Sequence, residues 1–572
     1  MKNMLSYLLL SLAALSFTDC DQTNDNKNPV AFEYREIYLP RRFEAEMKRL
    51  WLNNVDMDWG LWGHNLSRVL PDNPSRTVFA SIDGRATDEQ FCFSSEQLYK
   101  YIVNYIVDKY GEQKSERFAI LPNDNMLSCQ CVQCVAKGCT KNDATPAVQY
   151  MLERLAKRFP KHLFFTSSYL TTRSIPRNPM PENTGVLISA MDYSLCAKAT
   201  PQEEDFRHLL SKWSAITKHI YVWDYINNFD DYITPFPIFT IMQRRFQLYK
   251  EAGVSGIFLN GSGDDYSSFS RLKIHVLTAL LENPYADWRA VLKQKCEELY
   301  PVTGNCLAQY IISLEELVAN NGKTLPLYEG VAAARNIYLD EETFIRFHDQ
   351  LQELLPKAKG EEHQDVSLLC RALMFTRLEI KRLHADITNC TRLLNELVEA
   401  TKSGLRLYSE SYWSLEKYIS DYRDMLTEAQ TMQPKNRLHG VKLTPLTPLD
   451  EEYSDISILT DGLIGLPSNY HCGHLISSAD PALKIAIPSD MGLRHLHVEL
   501  IYNVQFHIAL PLSVKLMAGD KEIKVLHPTP SDISGRYIAE IDVPTNAQGT
   551  LILNIERNKE ERTMAIDEIM GW

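Results

Sequence analysis

The sequence predicts an α/β protein: a (β/α)8 barrel of the TIM type, followed by a helical module and a C-terminal β-sandwich. Three observations carry this reading. Residues 30–304 alternate short β-branched or aromatic runs with amphipathic helical stretches. Residues 305–432 hold long runs of Leu, Glu, Lys and Arg at helical period, with few strand signals. After a Pro- and Thr-rich linker at 433–450, residues 451–572 alternate apolar and polar side chains in short segments. With 572 residues and 45% apolar side chains, the chain is large enough to bury several cores.

In the barrel region, strands are expected at 32–36, 60–64, 78–82, 118–121, 163–169, 186–191, 219–223 and 256–260. Between them, helices such as 95–109, 146–159, 203–217, 237–252 and 272–281 repeat apolar residues at i, i+3 and i+4. An open, doubly wound sheet is the alternative, but it would want a phosphate-cradling glycine loop after its first strand, and the chain has none. In the helical module the charges read as a solvated face and the apolar stripes as packing, so no chemistry is assigned to it. Strands at 495–502, 512–517, 523–526, 537–543 and 550–555 suit a sandwich.

Residues 1–29 read as a signal peptide and tether. Lys2 precedes an apolar stretch at 5–17, of secretory length and too short to span a bilayer. Cys20 follows as a candidate lipid anchor, although Phe17-Thr18-Asp19 is a poor approach to a lipidated cysteine. The expectation is an exported protein, in the periplasm or as an outer-membrane lipoprotein at the cell surface. A net charge of −13, with 60 basic against 73 acidic side chains and no basic patch, argues against nucleic acid as a partner.

In a barrel the reacting groups stand where strands end at the carboxyl side, since only there do loops from several strands converge on one cleft. Those ends carry Trp59-Gly60-Leu61-Trp62-Gly63-His64-Asn65, Pro122-Asn123-Asp124-Asn125, Ser167-Ser168-Tyr169, Asp192-Tyr193, Trp223-Asp224-Tyr225 and Asn260-Gly261-Ser262-Gly263-Asp264-Asp265. Carboxylates beside Trp and Tyr suit carbohydrate, because pyranose rings offer apolar faces for stacking and hydroxyls for acidic and amide partners. Hydrolysis of a glycosidic bond further needs a proton donor and an opposing carboxyl or carboxylate, about 5–10 Å apart. Asp124 and Asp224 are the candidate catalytic pair, with Asp124 as general acid. His64, Asn65, Asn123, Trp62, Trp223, Tyr225, Asn260, Asp264 and Asp265 are the candidate substrate-binding residues. Any one of these aspartates alone reads as a turn former, and any one tryptophan as core; the ensemble carries the inference.

Neither a nucleophile elbow Gly-x-Ser-x-Gly nor a His-Glu-x-x-His helix is present, and Gly261-Ser262-Gly263 lacks the Gly-Lys-Ser/Thr of a nucleotide loop. No cofactor is implied. Cys129, Cys131, Cys134 and Cys139 form a C-x-C-x-x-C-x4-C knot that reads as structural: four thiolates at that spacing suit zinc, whereas an oxidising compartment favours disulfides. A catalytic metal is not expected, because no His or carboxylate completes an open site there.

Several of these segments carry a family resemblance. Phe32-Glu33-Tyr34-Arg35-Glu36, the Trp59-to-Asn65 run, Gln90-Phe91-Cys92-Phe93, Pro122-Asn123-Asp124, the cysteine knot, Tyr221-Val222-Trp223-Asp224-Tyr225 and Gly253-Val254-Ser255-Gly256-Ile257-Phe258 occur in order. Together they resemble a large bacterial group once described as a domain of unknown function and now placed in glycoside hydrolase family 163. The resemblance implies endo-β-N-acetylglucosaminidase action on complex N-glycans; in the reading of the residues above, Asp224 opposes the acid or orients a substrate acetamido group. Many members place an acid directly after the Ile-Phe pair, where this chain has Leu259 and Asn260; that departure motivates the alternative of an inactive surface glycan-binding protein. Leu459-Thr460-Asp461-Gly462 and Met564-Ala565-Ile566-Asp567-Glu568-Ile569 resemble the two ends of a galactose-binding-type module.

Overall fold

The computed structural model describes residues 30–572 except 451–452, 479–480, 489–490, 530–534, 546–549 and 559–562. The signal, tether and Cys20 expected at 1–29 lie outside the described residues. Among the described residues, no helix is long and apolar enough to cross a membrane.

Seven parallel strands form the main sheet: β1 Tyr34–Tyr38, β2 Trp59–Leu61, β3 Arg117–Ala119, β4 Leu163–Ser168, β5 Thr184–Ser189, β6 His219–Tyr225 and β7 Gly256–Asn260. Their order, β2-β3-β4-β5-β6-β7-β1, follows the chain except at the end, where β1 pairs with β7. The sheet curls until its two edges meet. No ladder joins β1 to β2, but Asn53 exchanges hydrogen bonds with the Arg35 backbone at 2.8 and 2.9 Å, and the Trp59 indole N–H donates to the Tyr34 hydroxyl at 3.0 Å. Every strand sends a residue into one interior cluster: Tyr34, Trp59, Ala119, Phe165, Leu187, Tyr221 and Phe258. Glycine makes room for its bulk: a Cβ on Gly185 or Gly256 would lie 2.4 and 2.6 Å from the rings of Phe165 and Tyr221, the residues paired with them on the next strand.

The expected eight-stranded closed barrel is therefore met only in part. The segment expected as a third barrel strand, 78–82, instead forms an antiparallel hairpin, Phe79–Ile82 with Arg85–Phe91. Asp83-Gly84 turns it back with φ of +47° and +79°, the backbone of a tight hairpin turn. The alternation is also incomplete between β4 and β5, which are joined through a single 3-10 turn, Leu170–Thr172.

Helices Glu96–Lys109, Thr145–Arg158, Pro201–Ser214, Phe239–Glu251 and Ser270–Glu282 cover the outside of the sheet. Their starts follow local chemistry: Ser95 accepts the Leu98 N–H at 3.2 Å, and proline occupies the first turn of the helices at 145 and 201. Helices from Gly304–Asn321 to Leu415–Met432 form the helical module. Its apolar residues merge with those behind the barrel into one core, so the two pack as a unit. The C-terminal region is a sandwich of a five-stranded and a four-stranded antiparallel sheet on a core of its own. A buried polar cluster docks it: His471 Nε2 lies 2.8 Å from Asp230 of the β6–α loop, and Tyr453 bonds both His471 and Glu329.

Candidate active site

Side chains alternate across a strand, so the inward residues near the carboxyl ends of the strands build the mouth of the cylinder. Trp223 packs against the interior cluster, and Leu187, a member of it, reaches the cavity as well. Ser167, Ser189, Tyr225 and Asn260, two residues further along their strands or at their ends, line a cavity of ≈ 410 Å³. Loops complete it with His64, Leu121, Asp124, Tyr169 and Met191, and the helical module adds Tyr328 and Glu410.

Of the residues singled out from the sequence, His64, Asp124, Trp223, Tyr225 and Asn260 meet in this cavity. His64 Nδ1 donates to the Pro122 carbonyl at 2.6 Å, which leaves Nε2 as its free acceptor. Trp62 lies behind the site, stacked on Trp223 at 5.0 Å with the planes 9° apart, and fixes that indole from below. Asn65 is exposed and donates to the Trp62 carbonyl at 2.9 Å. Asn123 is a loop brace: its N–H donates to Gln90 at 2.9 Å and its side-chain amide to the Glu89 carbonyl at 2.8 Å. Asp264 pairs with Arg41 on the outer surface at 3.2 Å, and Asp265 closes a turn with Ser262, so neither lines the cavity.

Asp224 requires a correction. Tyr221, Trp223 and Tyr225 face inward, so Asp224 faces outward; it is fully buried, with its carboxylate accepting from Arg245 and from the Tyr249 hydroxyl of the covering helix at 2.6 Å. It cannot oppose Asp124 across a cleft. The second carboxylate of the cavity is Glu410, supplied by the helical module, to which the sequence reading gave packing alone. Glu410 is seated from both sides: its N–H donates to the Phe229 carbonyl at 2.7 Å, and the Tyr232 N–H donates to the Tyr408 carbonyl at 2.8 Å.

The electrostatics separate the two acids. Although Glu410 keeps solvent contact, burial of its carboxyl lifts it above the usual carboxylate range, and the charges of Asp230 and Asp124 add to the rise. Tyr169 shares the cavity with Asp124, and burial together with the Asp124 charge pushes its hydroxyl up to about 12. The site thus holds two exposed carboxyl groups, and that of Glu410 is raised by its surroundings. Sequence signals for Glu410 were slight: Tyr408-Ser409-Glu410-Ser411-Tyr412-Trp413 is an aromatic turn inside an otherwise helical stretch.

The sequence pattern of the family described as Domain of unknown function (DUF4838) matches residues 18–312, and the chain belongs to that family. No curated protein matches it. Among solved structures it is similar to a 4-O-methyl-α-glucuronidase of family GH115 with specificity for decorated arabinogalactans, at 11% identity over 87% of this chain and 70% of that chain, with a TM-score of 0.37. It is also similar to the lectin domain of lectinolysin complexed with Lewis B antigen, at 13% identity over 25% of this chain and 98% of that chain, with a TM-score of 0.19.

Proposed function

We propose that the cleft holds a saccharide and hydrolyses a glycosidic bond in it, with N-acetylglucosamine-containing glycans, complex N-glycans by family resemblance, as substrates. The observation that carries this reading is that two carboxylates from distant parts of the chain, Asp124 and Glu410, enter one cavity together with a supported tryptophan and three tyrosines. Trp223 offers its face to a pyranose ring, and Tyr169, Tyr225 and Tyr328 wall the subsite. His64 Nε2, Asn260, Ser167 and Ser189 supply partners for hydroxyl and acetamido groups.

In this scheme Glu410, raised by burial and by the charges of Asp230 and Asp124, takes the general-acid role that the sequence reading gave to Asp124 and gives its proton to the leaving oxygen as the anomeric bond breaks. Asp124 faces the positive charge that develops on the sugar, either directly or by orienting an acetamido group that attacks the anomeric carbon. The replacement of an acid by Leu259 does not empty this site. Leu259 is fully buried on the outward face of β7, in register with Asp224, whereas Phe258 and Asn260 point inward. Export belongs to the same proposal, since glycoproteins are met outside the cytoplasm. For the sandwich we propose a supporting role, because its face toward the barrel is closed by Asp230, His471 and Tyr453.

Incubation of the full chain with a complex N-glycoprotein, followed by mass analysis of released oligosaccharide, tests the reading. Release supports it. Tight binding of the glycan with no release would make the protein a lectin, and neither binding nor release would remove carbohydrate from the account.

A further inference from the structure

We infer that Cys92, Cys129, Cys131 and Cys134 form a tetrathiolate site for a structural zinc ion. Their four sulfurs all lie within 4.8 Å of one another. Cys92 Sγ stands 3.7 Å from both Cys131 Sγ and Cys134 Sγ. A tetrahedron of sulfurs at about 2.3 Å from zinc has edges of about 3.8 Å. A disulfide, by contrast, pairs sulfurs two by two at about 2.05 Å, and here Cys92 is shared evenly between two neighbours.

The surroundings are those of thiolates. The Ser81 N–H points to Cys129 Sγ at 3.3 Å, the Cys134 N–H to Cys131 Sγ at 3.5 Å, and Ser94 Oγ lies 3.2 Å from Cys134 Sγ. Hydrogen bonds of this kind orient and stabilise metal-bound sulfur. Cys92, Cys129 and Cys134 are buried, and Cys131 is half-buried at the edge, which leaves an entry path. A donor set made only of thiolates favours zinc among the divalent ions of biological supply, and binding displaces the thiol protons. The sequence grouping put Cys139 in the knot; the fold replaces it with Cys92, brought in by the hairpin, while Cys139 Sγ turns to the Ala144 carbonyl at 3.8 Å.

The ion would tie the hairpin to the segment carrying the helix Val132–Ala136. Gln90, two residues before Cys92, bonds Asn123 and Asn125 on either side of Asp124 at 2.9 Å each. The site therefore braces the loop that presents Asp124 without entering the cleft, and it stands whether or not that cleft hydrolyses glycans.

The test is metal content of the full chain, purified reduced, stripped with chelator and reloaded with zinc alone. Elemental analysis, and zinc released to a colorimetric chelator by a mercurial, should both give about one ion per chain. Cys139→Ser should keep that ion, whereas Cys92→Ser and Cys134→Ser should lose it by roughly tenfold or more. Should those variants fail to fold, the wild-type stoichiometry and Cys139→Ser decide alone. A reduced wild type that takes up no zinc, a native chain whose four cysteines resist alkylation as two disulfides, or loss of the ion in Cys139→Ser would overturn the inference.

Discussion

Trp223 and Asp224 are neighbours in the chain and face opposite ways, one into the cylinder and one into the layer between sheet and helices. Buried there, Asp224 has Arg245 as its counter-charge and Tyr249 as a donor, and Arg245 also donates to the Tyr193 and Ser194 carbonyls. Removing one charge of such a pair leaves the other uncompensated in a low dielectric, at a cost of about 3–5 kcal/mol. Asp224→Asn is therefore expected to lower the urea midpoint strongly while leaving turnover per folded molecule near wild type. A stable Asp224→Asn protein without activity would return Asp224 to the catalytic machinery.

At the scale of elements, the covering helices and all seven barrel strands lie within a few residues of where hydrophobic period and β-branched runs place them, because those signals are local; of the eight strands expected, only 78–82 lies outside the barrel sheet. A signal for the hairpin is present in Asp83-Gly84 directly after the apolar segment 78–82, a dipeptide that favours an antiparallel return, although the polar arm Arg85–Phe91 carries little strand signal of its own. Reading Trp223-Asp224-Tyr225 as one cluster misplaces Asp224, because a period of two forbids all three side chains from facing one side. Glu410 and Cys92 were out of reach for a different reason: each enters its site through a long-range contact that no local pattern encodes.

The docking of the sandwich rests on a comparable close fit. Gly473 has φ of +95°, and a Cβ there would fall 1.5 Å from the guanidinium of Arg382, itself fully buried. Gly404, with φ of +96°, meets nothing within 4 Å. Gly404→Ala should cost about 1 kcal/mol from backbone strain alone, and Gly473→Ala at least about 2 kcal/mol, read from urea midpoints. Equal losses at the two positions would contradict the packing described.

Across the whole molecule, buried acids set the pH dependence of stability. Burial pushes Glu36, inside the barrel and bonded to the Tyr34 hydroxyl, and Asp567, in the sandwich, up to about 8. Each therefore contributes stability that is fully present below its unfolded value and is lost as pH rises through about 8. Lys273, held down to about 7 by burial, opposes them with one proton over the upper part of that range. His348 and His474, lowered to about 4 and about 3 by burial, contribute stability that is present above about 6.5 and lost as pH falls toward those values. Glu568, pushed well above its ordinary value by burial, acts in the same direction as Glu36 and Asp567, so stability should fall as pH rises from 7 to 8. Urea titrations at pH 6.5 and 8 check this; a higher midpoint at pH 8 would contradict it.

Barrel rim and helical module meet around the cleft, each contributing a carboxylate, and the kinetics of two isosteric variants test that meeting most directly. With a complex N-glycoprotein as substrate, Asp124→Asn and Glu410→Gln should each lower kcat/KM by roughly a hundredfold or more. Both variants should keep the wild-type urea midpoint within about 0.5 kcal/mol, since both side chains keep solvent contact. Full activity in Glu410→Gln would contradict the account, because the helical module would then take no part in the chemistry.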